Sequence, residues 1–106
     1  MAGLVLESHG GPEVASVVVR GEIDMATAPQ LREMLQELLQ AGATRIVIDC
    51  RGLEFLDSSG IGVLVAVRNR LGDDGALVLD SPPPHVRKVL QLTGVGEHLG
   101  VVPETL

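Results

Sequence analysis

Leu53-Glu54-Phe55-Leu56-Asp57-Ser58-Ser59-Gly60-Ile61-Gly62-Val63-Leu64-Val65 decides how the chain is read, because there a hydrophobic run halts at an acid and two hydroxyls and then resumes. Ser, Asp and Asn satisfy the orphan backbone N–H groups of a first helical turn, so Asp57-Ser58-Ser59 reads as a loop closing into an N-cap. The helix behind it is expected to reach about Leu71, with Ile61, Leu64, Val65 and Leu71 on one face and Arg68 and Arg70 near its negative pole. Ile61 to Val67 is also short, apolar and rich in Val, as a buried strand would be. Periodicity alone does not separate the two, and the cap and the length favour the helix. Either way, a serine at such a terminus faces backbone donors and a partial positive charge, where a phosphate can be held.

Working outward towards the N-terminus, Arg45-Ile46-Val47-Ile48-Asp49 reads as a strand, joined to the serine-bearing helix through Arg51-Gly52 and the Leu53 to Leu56 segment. Before it, a helix is expected from about Ala28 to Ala41. Thr27 is spaced from Gln30 as in a capping box, Pro29 is tolerated in a first turn, and Gly42 suits the C-cap. Leu31, Met34, Leu35, Leu38 and Leu39 supply its apolar face, opposite Arg32, Glu33, Gln36 and Glu37. Leu4-Val5-Leu6 and Ala15 to Val19, separated by Gly10-Gly11-Pro12, read as an antiparallel hairpin.

Towards the C-terminus, Gly72-Asp73-Asp74-Gly75 turns the chain into the strand Ala76 to Leu79, and Ser81-Pro82-Pro83-Pro84 breaks it. A third helix from about Pro84 to Leu92 carries Val86, Val89 and Leu90 inward before Thr93-Gly94 ends it. Val95 to Leu99 reads as one more helical turn, followed by a short strand at Val101-Val102. Strands alternating with helices imply parallel pairing with right-handed crossovers, the first hairpin lying at one edge. The expectation is a single α/β domain over residues 1–106, with a mixed β-sheet of four to five strands and helices packed against it.

Composition narrows the function. At 106 residues the chain suffices for one ordinary core. That core must be aliphatic, since Trp and Tyr are absent and Phe55 is the only aromatic residue, which also removes base stacking as a mode of nucleic-acid binding. A formal charge of −6 disfavours polyanions and favours solubility or a basic protein partner. No basic-then-apolar leader opens the chain, and no run approaches the ~20 apolar residues of a membrane span, so a cytoplasmic protein without a membrane or nucleic-acid partner is expected. Cys50, alone at the end of an apolar strand, reads as a small buried hydrophobe.

The chemical inventory is nearly empty. A serine hydrolase would need a Gly-x-Ser-x-Gly elbow and a base, and His85 and His98 have no visible orienting partner. Gly60-Ile61-Gly62 lacks the third glycine of a dinucleotide loop, and close packing of a helix against a sheet or a partner explains both glycines. His9, His85 and His98 lack the neighbours of a metal site, and Asp73-Asp74 and Glu22-Asp24 lack calcium-loop spacing. Neither an enzyme activity nor a cofactor is expected. Locally, Asp57-Ser58-Ser59-Gly60 remains open between a capped turn and a phosphoacceptor.

A set of motifs in order goes further. Gly21-Glu22-Ile23-Asp24, Thr27-Ala28-Pro29 with Leu31-Arg32, Ile46-Val47-Ile48-Asp49, Phe55 to Leu64 and Leu92-Thr93-Gly94-Val95 together resemble the STAS-domain anti-sigma factor antagonists (anti-anti-sigma factors) of bacteria, over about Val14 to Val102. The resemblance implies partner switching in transcription regulation. The unphosphorylated protein binds an anti-sigma factor that is a GHKL-type serine kinase and so frees the sigma factor. The kinase phosphorylates the antagonist, which then lets go, and a PP2C-type phosphatase resets it. The family phosphoacceptor, directly after the motif aspartate, carries over to Ser58. Ser59 takes a capping or positioning role, Asp57 matches the motif acid, and Asp24 matches the acid of the Gly-Glu-x-Asp loop near the phosphosite. Gly60 and Gly62 would let the kinase approach the backbone. The triple proline and the Gly10-Gly11-Pro12 turn depart from the family pattern only in connections. The alternative is a STAS scaffold that is not phosphorylated, or a module binding a small ligand such as a lipid or nucleotide.

Overall fold

Burial alternates along Ala15 to Val19, Ile46 to Cys50 and Leu77 to Asp80, as the two-residue period of a strand requires, and builds a sheet with one dry face. A computed structural model of the chain describes residues 3–11 and 13–102. Among these, the elements run β1 (Leu4–Gly10), β2 (Val14–Ile23), α1 (Ala28–Gln40), β3 (Arg45–Leu56), α2 (Ser58–Leu71), β4 (Ala76–Asp80), α3 (Pro84–Leu92) and β5 (Gly100–Val102). The strands form a five-stranded mixed sheet in the order β1-β2-β3-β4-β5. β1 pairs antiparallel with β2 at the edge, and each later pairing is parallel. Pro12, in the expected hairpin turn, lies outside the described residues.

The helices cover one face of this sheet. Ala15, Val17 and Val19 of β2, Ile46, Ile48 and Cys50 of β3, and Leu77 and Leu79 of β4 are buried there with Leu31 and Leu35 of α1 and Val86 and Leu90 of α3. Ser16, Val18, Val47, Asp49, Val78 and Asp80 alternate onto the other face and are only half-buried. Parallel strands covered on both faces run as continuous apolar stretches, whereas here polar residues punctuate the strands. On that face Asp49 accepts from Arg51 Nη2 at 2.8 Å and Nε at 3.0 Å, and the Arg51 guanidinium holds its carboxyl below the usual value. No buried polar or charged side chain occurs among the described residues, so the core is aliphatic, as the composition requires.

Three local expectations are corrected. First, the segment read as a link after Asp49 is strand: β3 continues to Leu56, and its buried residues pass from every second position (Ile46, Ile48, Cys50) to every third (Cys50, Leu53, Leu56). The register with β2 slips between Val18 and Arg20 and again between Gly21 and Glu22, each slip leaving an extra residue on β3. Bulges of this kind erase the period-two signature. Second, Thr27 precedes α1 but makes no side-chain cap, so the Thr27–Gln30 capping box does not form. Third, α2 buries Gly60, Ile61, Val63, Leu64 and Val67, leaving Val65 and Leu71 half-buried, because it packs on α1 as well as on β3 and β4.

The end of α1 is tied off as a Schellman motif. Gly42, at φ 101°, donates to Leu39 O at 3.1 Å, and Ala43 donates to Leu38 O at 3.0 Å. The glycine therefore sits one residue past the C-cap Ala41. In the expected helical turn after α3, a single bond from Leu99 N–H to Val95 O at 2.9 Å closes a turn that does not continue.

Candidate functional site

β2 and β3 end side by side, and this places the site. Ile23 pairs with Leu56, and the Asp57 N–H donates to Ile23 O at 3.2 Å, so the chain leaves both strands at one level. Neighbouring strands lie about 4.8 Å apart, which brings the Asp24 and Asp57 turns together. Asp57 is extended, at φ −111° and ψ −172°, and caps α2. Its Oδ1 accepts from Ser59 N–H at 2.8 Å and, less closely, from Gly60 N–H at 3.4 Å, while its carbonyl accepts from Ile61 N–H at 3.1 Å.

With the cap supplied by Asp57, the two hydroxyls are left over. Ser58 is the first residue of α2 and exposed; Ser59 is the second and half-buried. Among the described residues, neither hydroxyl makes a protein hydrogen bond. Ser59 therefore does not cap the helix: it is its backbone N–H that is capped. A free, exposed Ser58 hydroxyl beside a carboxylate already engaged with the backbone is accessible to an incoming electrophile, but has no base of its own.

Asp24 is spent differently. Its Oδ1 accepts from Ala26 N–H at 2.9 Å and Thr27 N–H at 3.0 Å, while its own N–H donates to Thr27 Oγ1 at 2.9 Å. The Thr27 hydroxyl donates to Glu22 O at 2.8 Å. Thr27 thus braces the turn before α1 rather than the helix itself, and Asp24 stays at the rim as a fixed, half-buried carboxylate.

The two glycines of α2 part company. Gly60 is buried: a Cβ on it would overlap Ile23 Cγ2 and stand 2.6 Å from Leu56 Cδ1, so the bare backbone lets the helix start rest on the strand ends. The expectation that a partner approaches Gly60 is corrected on this ground. Gly62 is exposed, with nothing within 4 Å of an added Cβ, and it lines a groove of about 380 Å³ between α1 and α2 with Ser58, Ser59, Arg32 and Gln36.

Two apolar residues of the rim escaped the sequence reading. Met25, beside Asp24, is 79% exposed, and Phe55, two residues before Asp57, is 45% exposed. In sequence both look like core material. Phe55 is turned outward by the second bulge of β3, a signal that no periodicity carries. The histidines are engaged elsewhere: His85 Nε2 lies 2.6 Å from Glu54 O, His98 Nε2 lies 2.9 Å from Asn69 Oδ1, and His9 faces Glu7. None of them is placed as a base for Ser58. Cys50 is buried, and burial, followed by the charges of Asp49 and Asp80, pushes its thiol from 9.0 up to about 12. Among the described residues no group of three or more His, Cys, Asp or Glu is placed to hold a metal ion, and no helix is long and apolar enough to cross a membrane.

Comparison with known proteins places this geometry in context. The family described as "Mlab, STAS domain" matches residues 9–103. An anti-sigma F factor antagonist of Lysinibacillus sphaericus is 38% identical over 85 residues, covering 76% of this chain and 73% of that protein. The crystal structure of an anti-sigma factor antagonist from Mycobacterium paratuberculosis superposes with a TM-score of 0.87 at 29% identity, over 96% of this chain and 87% of that one. The Bacillus cell fate determinant SpoIIAA, in its phosphorylated form, superposes with a TM-score of 0.70 at 29% identity, over 96% and 93% of the two chains.

Proposed function

The chain belongs to the STAS-domain family of anti-sigma factor antagonists, and from that premise we propose that it works as a phosphorylation-gated antagonist itself. Unphosphorylated, it binds an anti-sigma factor that is a GHKL-type serine kinase and so releases the sigma factor. The kinase transfers the γ-phosphoryl group of ATP to Ser58: the Oγ–P bond forms, the bond to ADP breaks, and the hydroxyl proton passes to a base of the kinase. A PP2C-type phosphatase hydrolyses the ester and restores binding. The protein is substrate and binder here, not catalyst, and acts in the cytoplasm.

The observation that carries this reading is the free, exposed hydroxyl of Ser58 at the first residue of α2, directly after the Asp57 cap. It sits in a rim suited to docking, with exposed Met25 and Phe55 as apolar contacts and Asp24, Asp57, Ser59 and Gly62 as its polar and backbone parts. A phosphate there adds about −1.5 to −2 charge beside two carboxylates. The start of α2 offsets some of the cost within the protein, typically by ~0.3–1 kcal/mol. A partner seated on the rim meets like charge, and each 1.4 kcal/mol of that penalty weakens binding tenfold. Blocking is therefore local, with no change of fold.

The test is incubation with the partner kinase and ATP-Mg, followed by intact-mass and peptide mass spectrometry. A single phosphate on Ser58 is expected. Ser58→Ala should bind the kinase and accept no phosphate, and Ser58→Glu should bind at least tenfold more weakly; phosphate mapped to another residue removes the assignment. The rival, a small-ligand module, would draw on a different cavity, of about 470 Å³ between α3 and the 94–101 segment. A lipid or nucleotide retained through purification, with no phosphate transfer, would favour it.

A further inference from the structure

The groove beside Ser58 carries a feature that the docking rim does not explain. Its walls hold Arg32 of α1 and Arg70 of α2, and among the described residues neither guanidinium has a carboxylate partner, although the chain carries 14 acidic residues against 8 Lys and Arg. Ion pairs form at Arg20 and Arg51, on the uncovered face of the sheet, and Arg45, Arg68, Arg87 and Lys88 also lack a carboxylate partner among the described residues; what sets Arg32 and Arg70 apart is the groove they share with Ser58. The groove thus brings unpaired cations and, at its head, two unbonded hydroxyls to one surface.

The position along the helices separates the two arginines. α1 and α2 follow strands that run parallel and end at one level, so both helices start together and point the same way. Arg32 is four residues past Ala28, about 6 Å along the axis, and helical side chains lean back towards the N-terminus, here towards the level of Ser58. With packed helix axes about 8–10 Å apart, a guanidinium on one and a phosphoserine on the other can meet across the groove. Arg70 lies 12 residues past Ser58, about 18 Å down the axis, at the far end.

We infer that Arg32 is the phosphate-binding residue of this protein: once Ser58 carries a phosphate, the Arg32 guanidinium closes over it across the head of the α1–α2 groove, pairing two N–H donors with two phosphate oxygens. The modified protein thereby fills its own groove and cancels the cation exposed there. This rests on Ser58 being the phosphoacceptor, and it adds a second consequence of phosphorylation: the groove loses its shape and its charge together, while the carboxylates of Asp24 and Asp57 keep the rim negative.

Phosphoserine installed at position 58 during translation makes the test independent of any kinase. The second ionisation of the phosphate, ordinarily near 6, is followed by phosphorus NMR against pH in the full chain. Asp24 and Asp57 push that value up and Arg32 pulls it down, so the informative quantity is the difference between variants. Arg32→Gln, at an exposed position, is expected to raise the value by about 0.5–1 unit, and Arg32→Lys to recover part of the shift. Arg70→Gln, the distant control, should move it by less than about a fifth of that, given a Debye length of roughly 8–10 Å. No difference between wild type and Arg32→Gln overturns the inference, as does an equal shift in Arg70→Gln. Failure of the kinase experiment with success here would instead remove Ser58 as a natural acceptor, and with it the clamp's role in the protein, while showing that Arg32 reaches a phosphate at that position.

Discussion

Replacing each of the two glycines of α2 by alanine should move stability in opposite directions. In Gly62→Ala the new methyl group meets nothing within 4 Å, so only the helix term acts, and alanine is favoured over glycine by about 0.5–1 kcal/mol. In Gly60→Ala the same term is opposed by overlap with Ile23 Cγ2 and a 2.6 Å approach to Leu56 Cδ1. Ile23 is β-branched, with a restricted χ1, and buried, so its Cγ2 yields only at a cost, and overpacking of this kind costs about 1–3 kcal/mol. The net expectation is a gain of up to ~1 kcal/mol for Gly62→Ala and a loss of up to ~2 kcal/mol for Gly60→Ala. At ~4–8 °C per kcal/mol for a domain of this size, the two melting temperatures should differ by at least ~4 °C, read by circular dichroism at 222 nm. Melting within about a degree of one another, or Gly60→Ala melting higher, would refute the assignment of Gly60 to the contact between helix and strand ends.

Two further outcomes follow from the same core. Asp57→Ala removes the acceptor of the Ser59 and Gly60 N–H groups and should lower stability by about 1 kcal/mol, whereas Asp57→Asn keeps an acceptor and should stay within a few tenths; equal melting of the two would place the cap elsewhere. Cys50 should resist iodoacetamide at pH 8 in the native protein and react fully in urea. Because its folded value is raised from 9.0 to about 12, its contribution is complete below pH 9 and is lost as pH rises through that window, so the denaturation midpoint should fall between pH 8 and 11, and fall less in Cys50→Ala.

Much of this architecture is legible in the sequence because it is written in local signals. The apolar runs of β2, β3 and β4, the apolar face of α1, the Pro84 start of α3 and the acid-serine start of α2 all appear where chain-local chemistry puts them. What was illegible depends on neighbours. The length of β3 and the outward turn of Phe55 come from bulges against β2, and a bulge is a property of a pair of strands. The capping-box spacing at Thr27 was real, but Glu22 O and Asp24 offered its hydroxyl better partners across the turn. Gly60 and Gly62 look alike in sequence, and only the arrival of Ile23 and Leu56 beneath one of them separates a packing position from an exposed one. The sharing of one groove by Arg32 and the serine end of α2 likewise needs two helices side by side.

Met25 and Phe55 stand outside the aliphatic core, while the helix start they flank is fastened by Asp57, Ile23 and Leu56. If the proposed docking role holds, recognition and folding rest on different side chains. A lineage carrying several such proteins could retune Met25 and Phe55 to insulate one signalling circuit from its paralogues, and the seat of the serine would not notice.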